Sequence, residues 1–300
     1  MSVDLVGRRL FASPQAAKAE AVISLEDFHV IKMLPVGNPH GSYFSPTLNR
    51  LFVVDGAGGE VKVFDGTTFA PIGKITLTAG ADGLAYNPST NLIYVSNGGE
   101  GSGMEHAVLS VIDPVKMEKA TDIEIATSGI EGVAINIDRN VAYVNLDEDD
   151  RAVALVDLGR HQVVAKWELP GRHRAKGIAF DKIRNRLYVA CRDTKMHGSV
   201  VVLDATSGRA IKTLPIRAWA DGIYVDQKRG RIYVSSGLGY LESFAIGPKD
   251  TYRPLPAVET AMLAKTMFFS PDLDRVFVDV PHVGEGTEDG ASIMIFKPVP

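Results

Sequence analysis

An all-β, seven-bladed β-propeller is the fold class this 300-residue sequence predicts, and three observations predict it. A phrase of basic or polar residue, aliphatic, aromatic and Val or Ala recurs seven times, from Arg9-Leu10-Phe11-Ala12 and Arg50-Leu51-Phe52-Val53 to Arg275-Val276-Phe277-Val278. Its aromatics, Phe11, Phe52, Tyr94, Tyr143, Tyr188, Tyr233 and Phe277, are separated by 41, 42, 49, 45, 45 and 44 residues, the period of four-stranded propeller blades. Between the phrases, residues alternate apolar and polar with period two and are punctuated by turn residues.

The clearest repeat assigns the four strands of a blade. Gly177–Asp181 is the innermost, Arg186–Ala190 the second, Ser199–Asp204 the third and, after the turn Thr206-Ser207-Gly208-Arg209, Ala210–Leu214 the outermost. β-Branched and aromatic residues dominate all four, as a pleated, half-buried surface requires. Asp65, Asp113, Asp157 and Asp204 each close a third strand, where a carboxylate accepts local N–H groups. Gly41, Gly83, Gly132, Gly177 and Gly222 each open an innermost strand, the most crowded place in a radial array. The seven repeat aromatics are expected in the core between blades.

The repeats run almost end to end without a low-complexity linker, so residues 1–300 are expected to form one domain. At the ends, Ser2-Val3-Asp4 aligns with the close of an innermost strand, and Ala291–Phe296 reads as a third strand followed only by four residues. The first and last blades are therefore expected to be incomplete. Trimming upstream, including loss of a leader, is the preferred explanation, because an unpaired ring end leaves an exposed sheet edge.

A net charge of −4 with scattered Lys and Arg argues against a nucleic-acid partner. No run of about eighteen apolar residues exists to span a membrane. The single cysteine, Cys191, rules out an internal disulfide, and its position after a second strand leaves a thiol at the blade face as an unsupported option. The glycine-dense stretch 98–103 opens no helix and reads as a flexible loop.

Tyr94-Val95-Ser96-Asn97, Val111-Ile112-Asp113-Pro114 and Leu34-Pro35-Val36-Gly37-Asn38-Pro39-His40-Gly41 resemble successive parts of the YVTN-type propeller repeat, related more distantly to NHL and WD40 arrays. The resemblance covers nearly the whole chain and departs in the variable second-to-third-strand loops and in the last repeat, where Lys265-Thr266 stands in place of a residue and Gly. It implies an exported protein, periplasmic or secreted, and says almost nothing about activity.

Propeller geometry places the loop entering each innermost strand and the loop leaving each second strand on one face, around the mouth of a central channel. The residue before each innermost-strand Gly position is His40, Asp82, Glu131, Lys176, Asp221 or Lys265 in blades two to seven, and every one is ionisable. These six, with Arg192, are the candidate ligand-binding residues, and a small molecule or a protein partner is expected at that face. His106, His197 and His282 fall in loops on the same face by alignment.

Three readings apply. In the plain structural one, the charges hydrate the channel and pair across it. In the second, Asp82, Glu131 and Asp221 offer hard oxygens for Ca²⁺ or Mg²⁺, while His40 with a loop histidine favours Zn²⁺ or Cu²⁺; Lys176 and Lys265 work against a cation. In the third, Lys176, Lys265 and Arg192 hold an anionic or zwitterionic small molecule. An enzyme on this scaffold would resemble propeller lactonases or streptogramin-type lyases, with a divalent ion as Lewis acid, His40 as the candidate catalytic proton carrier and Asp82 and Glu131 as ligands. The expectation is an extracytoplasmic binding protein, with the metal-dependent lactonase, hydrolase or lyase as the alternative.

Overall fold

The computed structural model describes residues 1–14, 17–146, 151–171, 174–281 and 290–299. It contains seven antiparallel sheets, each built from consecutive strands, and the fold is a seven-bladed β-propeller. The first strands of the sheets are Ser2–Asp4, Pro39–Ser45, Leu84–Asn87, Ile130–Asn136, Arg174–Asp181, Ala220–Asp226 and Met267–Ser270. The second strands, Arg9–Ala12, Arg50–Asp55, Leu92–Gly98, Val141–Leu146, Arg186–Arg192, Arg231–Ser236 and Arg275–Val280, carry the repeated phrase.

The fifth sheet continues with His197–Asp204 and Ala210–Arg217, close to the boundaries read from the sequence. The first strand of the first sheet is three residues long, and the seventh sheet has three strands among the described residues. The sixth sheet differs from expectation: its third strand, Leu238–Ile246, is flanked by two short pieces, Tyr252–Pro254 and Val258–Met262. Pro254 and Pro256 interrupt what would be one outermost strand, because proline cannot donate to the ladder.

The chain separates into two compact units, Met1–Val141 with Val156–Val164 and Ala142–Leu155 with Ala165–Pro300. In the first unit, Phe11, Leu51, Val53 and Phe64 form one core between neighbouring sheets, and Phe52, Val63, Ile93 and Ile112 form the next. In the second unit, Tyr188, Val200, Ile232 and Phe244 share one cluster and Tyr233, Phe269, Val276 and Val278 another. The repeat aromatics are all buried at 5% exposure or less, which places the most costly surface of each repeat against its neighbour.

The leading arginine of the phrase has a second task. Arg9 donates to the Gly66 carbonyl at 2.7 Å, Arg50 to those of Pro114 and Val115 at 3.0 and 3.1 Å, and Arg231 to that of Val299 at 2.7 Å. Arg186 grips the Asp250 carboxylate through Nε and Nη2 at 2.8 and 3.0 Å. Each thus reaches the end of the third strand, or the turn after it, in the following sheet. The fourth phrase begins with Val141 and has no such group; there the Tyr143 hydroxyl donates to the Ala205 carbonyl at 2.8 Å. The aspartates that close third strands behave as expected. Asp65 Oδ1, for example, accepts the N–H groups of Thr67 and Thr68 at 3.0 and 2.8 Å, which hold its pKa below the usual carboxylate value.

Candidate functional site

A recurrent β-bulge presents the candidate residues. In the second, fifth and sixth sheets the register shifts by one residue between Pro39 and Ser42, Ala175 and Ile178, and Ala220 and Ile223. Those shifts enclose His40-Gly41, Lys176-Gly177 and Asp221-Gly222, so the extra residue is the ionisable residue or its glycine. A bulge bends the strand and re-aims a side chain, which turns a residue at a strand entrance toward the blade face. Asp82-Gly83 has matching backbone bonds, with Asp82 N–H to the Ser96 carbonyl and Ser96 N–H to the Gly83 carbonyl, both at 2.9 Å.

The glycines are required by close approach. A Cβ on Gly41 would stand 3.2 Å from the Asp82 carbonyl oxygen, and one on Gly83 3.0 Å from that of Glu131. On Gly177 a Cβ would collide with the carbonyl oxygen of Asp221. Each bulge is therefore packed on the next, which brings successive candidate residues together within each unit.

In the first unit, His40 Nδ1 lies 2.9 Å from Asp82 Oδ1 and Nε2 lies 3.1 Å from Asn38 Nδ2. With Asp82 ionised, Nδ1 carries the proton; in the neutral ring Nε2 accepts from the Asn38 amide, and in the charged ring it donates to the amide oxygen once that amide turns. Burial opposes protonation of this imidazole, but the bond to Asp82 and the charges of Asp82, Glu131 and Asp55 prevail and raise its pKa. Asn38, His40 and Asp82 border a depression of about 400 Å³ whose other walls include Gly56, Ala57 and residues 79–81.

Sequence reasoning missed Asn38 and the group that positions it. Asp55 Oδ1 accepts the Asn38 N–H at 3.0 Å and the Gly58 N–H at 3.1 Å, and Lys62 Nζ lies 3.4 Å from Oδ2. Burial disfavours ionisation of Asp55, yet these two N–H groups and Lys62 hold its pKa below the usual value. A signal was present, since Asn-Pro at 38–39 and Asp-Gly at 55–56 are turn dipeptides at the two strand ends that must meet.

In the second unit, Asp221 Oδ2 accepts both Arg192 Nη2 at 3.1 Å and Lys265 Nζ at 3.2 Å. Arg192 Nε also donates to the Ala220 carbonyl at 3.1 Å. Lys176 is buried, and the Asn145 amide donates to the carbonyls of Lys176 and Gly177 at 2.9 and 3.1 Å.

His106 is partly exposed beside Glu105 and Glu124 at 4.0 and 3.9 Å, and His197 is exposed at the start of a third strand. His282 falls outside the described residues. Among the described residues no three His, Cys, Asp or Glu side chains gather as a metal ion would need. Asp221, one of the three carboxylates considered for metal, has an oxygen engaged by two cations. Cys191 is fully buried, its thiol 3.5 Å from the Val189 carbonyl, and burial pushes its pKa up, which removes it as a nucleophile. The glycine stretch after Asn97 is an ordered turn: Glu100–Ser102 is 3₁₀, and Met104 N–H bonds the Gly99 carbonyl at 3.1 Å.

Fold and bulge face together define a β-propeller with ionisable residues at its strand entrances. The chain is similar in fold over 99% of its length to Kuenenia stuttgartiensis hydrazine synthase, covering 94% of that chain at 16% identity with a TM-score of 0.82. It is likewise similar over 96% of its length to a functionally unknown protein from Desulfotomaculum acetoxidans DSM 771, covering 99% of that chain at 13% identity with a TM-score of 0.73. No family model matches the sequence, and no curated protein matches it. No helix among the described residues is long and apolar enough to cross a membrane.

Proposed function

We propose that the protein binds a small polar ligand at the bulge face, in the depression bordered by Asn38, His40 and Asp82. One observation carries this reading: the His40 imidazole is held by Asp82 through Nδ1 at 2.9 Å, while Nε2 faces the Asn38 amide at 3.1 Å and both side chains border the depression. The charges of Asp82, Glu131 and Asp55 around the ring favour a ligand that carries positive charge or donates hydrogen bonds. A divalent ion is the inorganic form of the same reading, with oxygens from Asp82 and Glu131. An organic ligand is favoured because no third ligating side chain joins them among the described residues.

A second reading is an enzyme, a hydrolase, lactonase or lyase with His40 as proton carrier, and its support is the same carboxylate-oriented imidazole. The proposal extends to the type of repeat and the compartment. The motifs around Tyr94 and Val111 support YVTN-type blades, and an exported protein follows from that type.

Three probes test the site, each used alone: ethanolamine, Ca²⁺ and Zn²⁺. At least one is expected to shift the His40 imidazole NMR signals and raise the thermal midpoint, with both effects lost in His40→Ala. If no probe moves the His40 signals, or His40→Ala responds as the parent does, the site is wrongly assigned.

A further inference from the structure

The second unit holds a charge arrangement that the His40 pocket does not use. Arg192 and Lys265 share one oxygen of Asp221, at 3.1 and 3.2 Å, so two cations face a single carboxylate and one positive charge is in excess. Among the described residues neither cation makes another ion pair, and the further bond there is from Arg192 Nε to the Ala220 carbonyl at 3.1 Å. Among the described residues the guanidinium Nη1 edge and the remaining ammonium protons therefore have no acceptor. The three side chains are 24%, 40% and 28% exposed for Arg192, Lys265 and Asp221, within reach of a solute.

The group is also held in place. Trp219 sits in the left-handed region at φ 63, a strained conformation for a bulky residue that persists only where its surroundings impose it. Its carbonyl accepts the Gly237 N–H at 3.1 Å, and the next carbonyl, that of Ala220, fixes Arg192. Asp221 then stands in the bulge between the two cations. An ion pair kept for stability alone needs one cation per carboxylate. A second, partly exposed one gains little from a partner already engaged and loses side-chain freedom. Two cations held at fixed spacing with spare donors suit an incoming oxyanion.

We propose that Arg192 and Lys265 form a binding site for an oxyanion, the carboxylate or phosphate group of a small molecule, with Asp221 setting the distance between them. The two tryptophans make the test direct: Trp167→Phe leaves Trp219 as the reporter, two residues from Asp221. Inorganic phosphate and succinate are titrated separately at constant ionic strength, with fluorescence and calorimetry as readouts.

A saturable response is expected, weakened at least about tenfold in Lys265→Gln, the loss of one charge-assisted bond. Arg192→Lys, which keeps the charge but not the fork, is expected to bind more weakly than the parent and serves if Lys265→Gln fails to fold. Tighter binding of phosphate assigns a phosphoryl ligand, and tighter binding of succinate a carboxylate. A response to neither anion, or equal isotherms for parent and both variants, overturns the proposal.

Discussion

His40 Nδ1 and Asp82 Oδ1, forty-two positions apart in sequence, meet at 2.9 Å between neighbouring bulges of the first unit. Burial alone would lower the imidazole pKa, and the carboxylates reverse it. Asp82→Asn is therefore expected to lower the His40 midpoint in an NMR titration relative to the parent, whose own midpoint lies above the ordinary histidine value. The sign for stability follows. A histidine with a raised folded pKa contributes stability that is present below its unfolded pKa and is lost as pH rises through the folded one. The parent should lose that contribution as pH rises past the ordinary histidine value and through the raised folded one, and Asp82→Asn should flatten the slope. An unchanged midpoint in Asp82→Asn would mean that the contact with Asp82 is not what raises the His40 pKa.

The bulge glycines give a graded series. On Gly41 a Cβ would meet Leu84 Cβ at 3.0 Å and the Asp82 carbonyl oxygen at 3.2 Å, contacts that a few tenths of an ångström relieve. On Gly177 it would collide with the Asp221 carbonyl oxygen, and backbone cannot yield without shifting the next bulge. Gly177→Ala is expected to cost about 3 kcal/mol and Gly41→Ala about 1 kcal/mol or less in urea unfolding. Equal losses would show that the bulges do not pack as described.

These two relationships also mark what the sequence made legible. Gly, an ionisable neighbour and a period of about 40–50 residues were enough to place the bulge positions, because each blade repeats the same backbone in the same register. Alignment alone set His40 and Asp82, and Asp221 and Lys265, at equivalent positions of neighbouring blades; which side chains pair there was not legible. Asn38 and Asp55 were not read out, since the side chain that ends the second strand and ties the entry loop changes from blade to blade: Asp55 accepts the Asn38 N–H, Asn97 accepts the Thr78 N–H and Ser236 donates to the Ala218 carbonyl. The split outermost strand of the sixth sheet was hidden for a similar reason: Pro254 and Pro256 were visible, but the long partner strand, Leu238–Ile246, that keeps both pieces paired was not.

The arginine clasp between blades was present in the repeated phrase, yet its target lies in the next repeat, where no sequence period points. Arg186 holds Asp250 through two bonds and Asp204 at 3.0 Å, whereas Arg50, among the described residues, donates to carbonyls. Removing Arg186 leaves two partly buried carboxylates facing each other, so Arg186→Leu is expected to cost about 2–3 kcal/mol. Arg50→Leu should cost about 1 kcal/mol, the worth of ordinary hydrogen bonds to carbonyls. Urea midpoints measured on both variants rank them, and a larger loss for Arg50→Leu contradicts the assignment.

Cys191 is expected to resist iodoacetamide in the folded protein. Its sulfur is fully buried and its thiol is kept protonated by that burial, so both access and thiolate fraction are low. Alkylation followed by mass spectrometry should show reaction in urea and little without it. Rapid modification under native conditions would place the thiol at the blade face after all.

Asp279 lies on the second strand of the seventh sheet, two residues after Phe277, at the place where Ser96, Asn145 and Ser235 hydrogen-bond the backbone of a bulge. Its carboxyl makes no hydrogen bond among the described residues, and burial pushes its pKa up from the usual carboxylate range to about 6. A carboxyl with a raised folded pKa favours the folded state fully below its unfolded pKa, and that advantage is lost as pH rises through the folded pKa. The parent should therefore lose stability between about pH 4 and 6, by on the order of 2 kcal/mol. Asp279→Asn removes the charge while keeping the shape. Its unfolding midpoint at pH 7 should exceed that of the parent, and the two should converge near pH 4. A variant less stable than the parent at pH 7 would mean that the ionised carboxylate has a partner which the amide cannot replace.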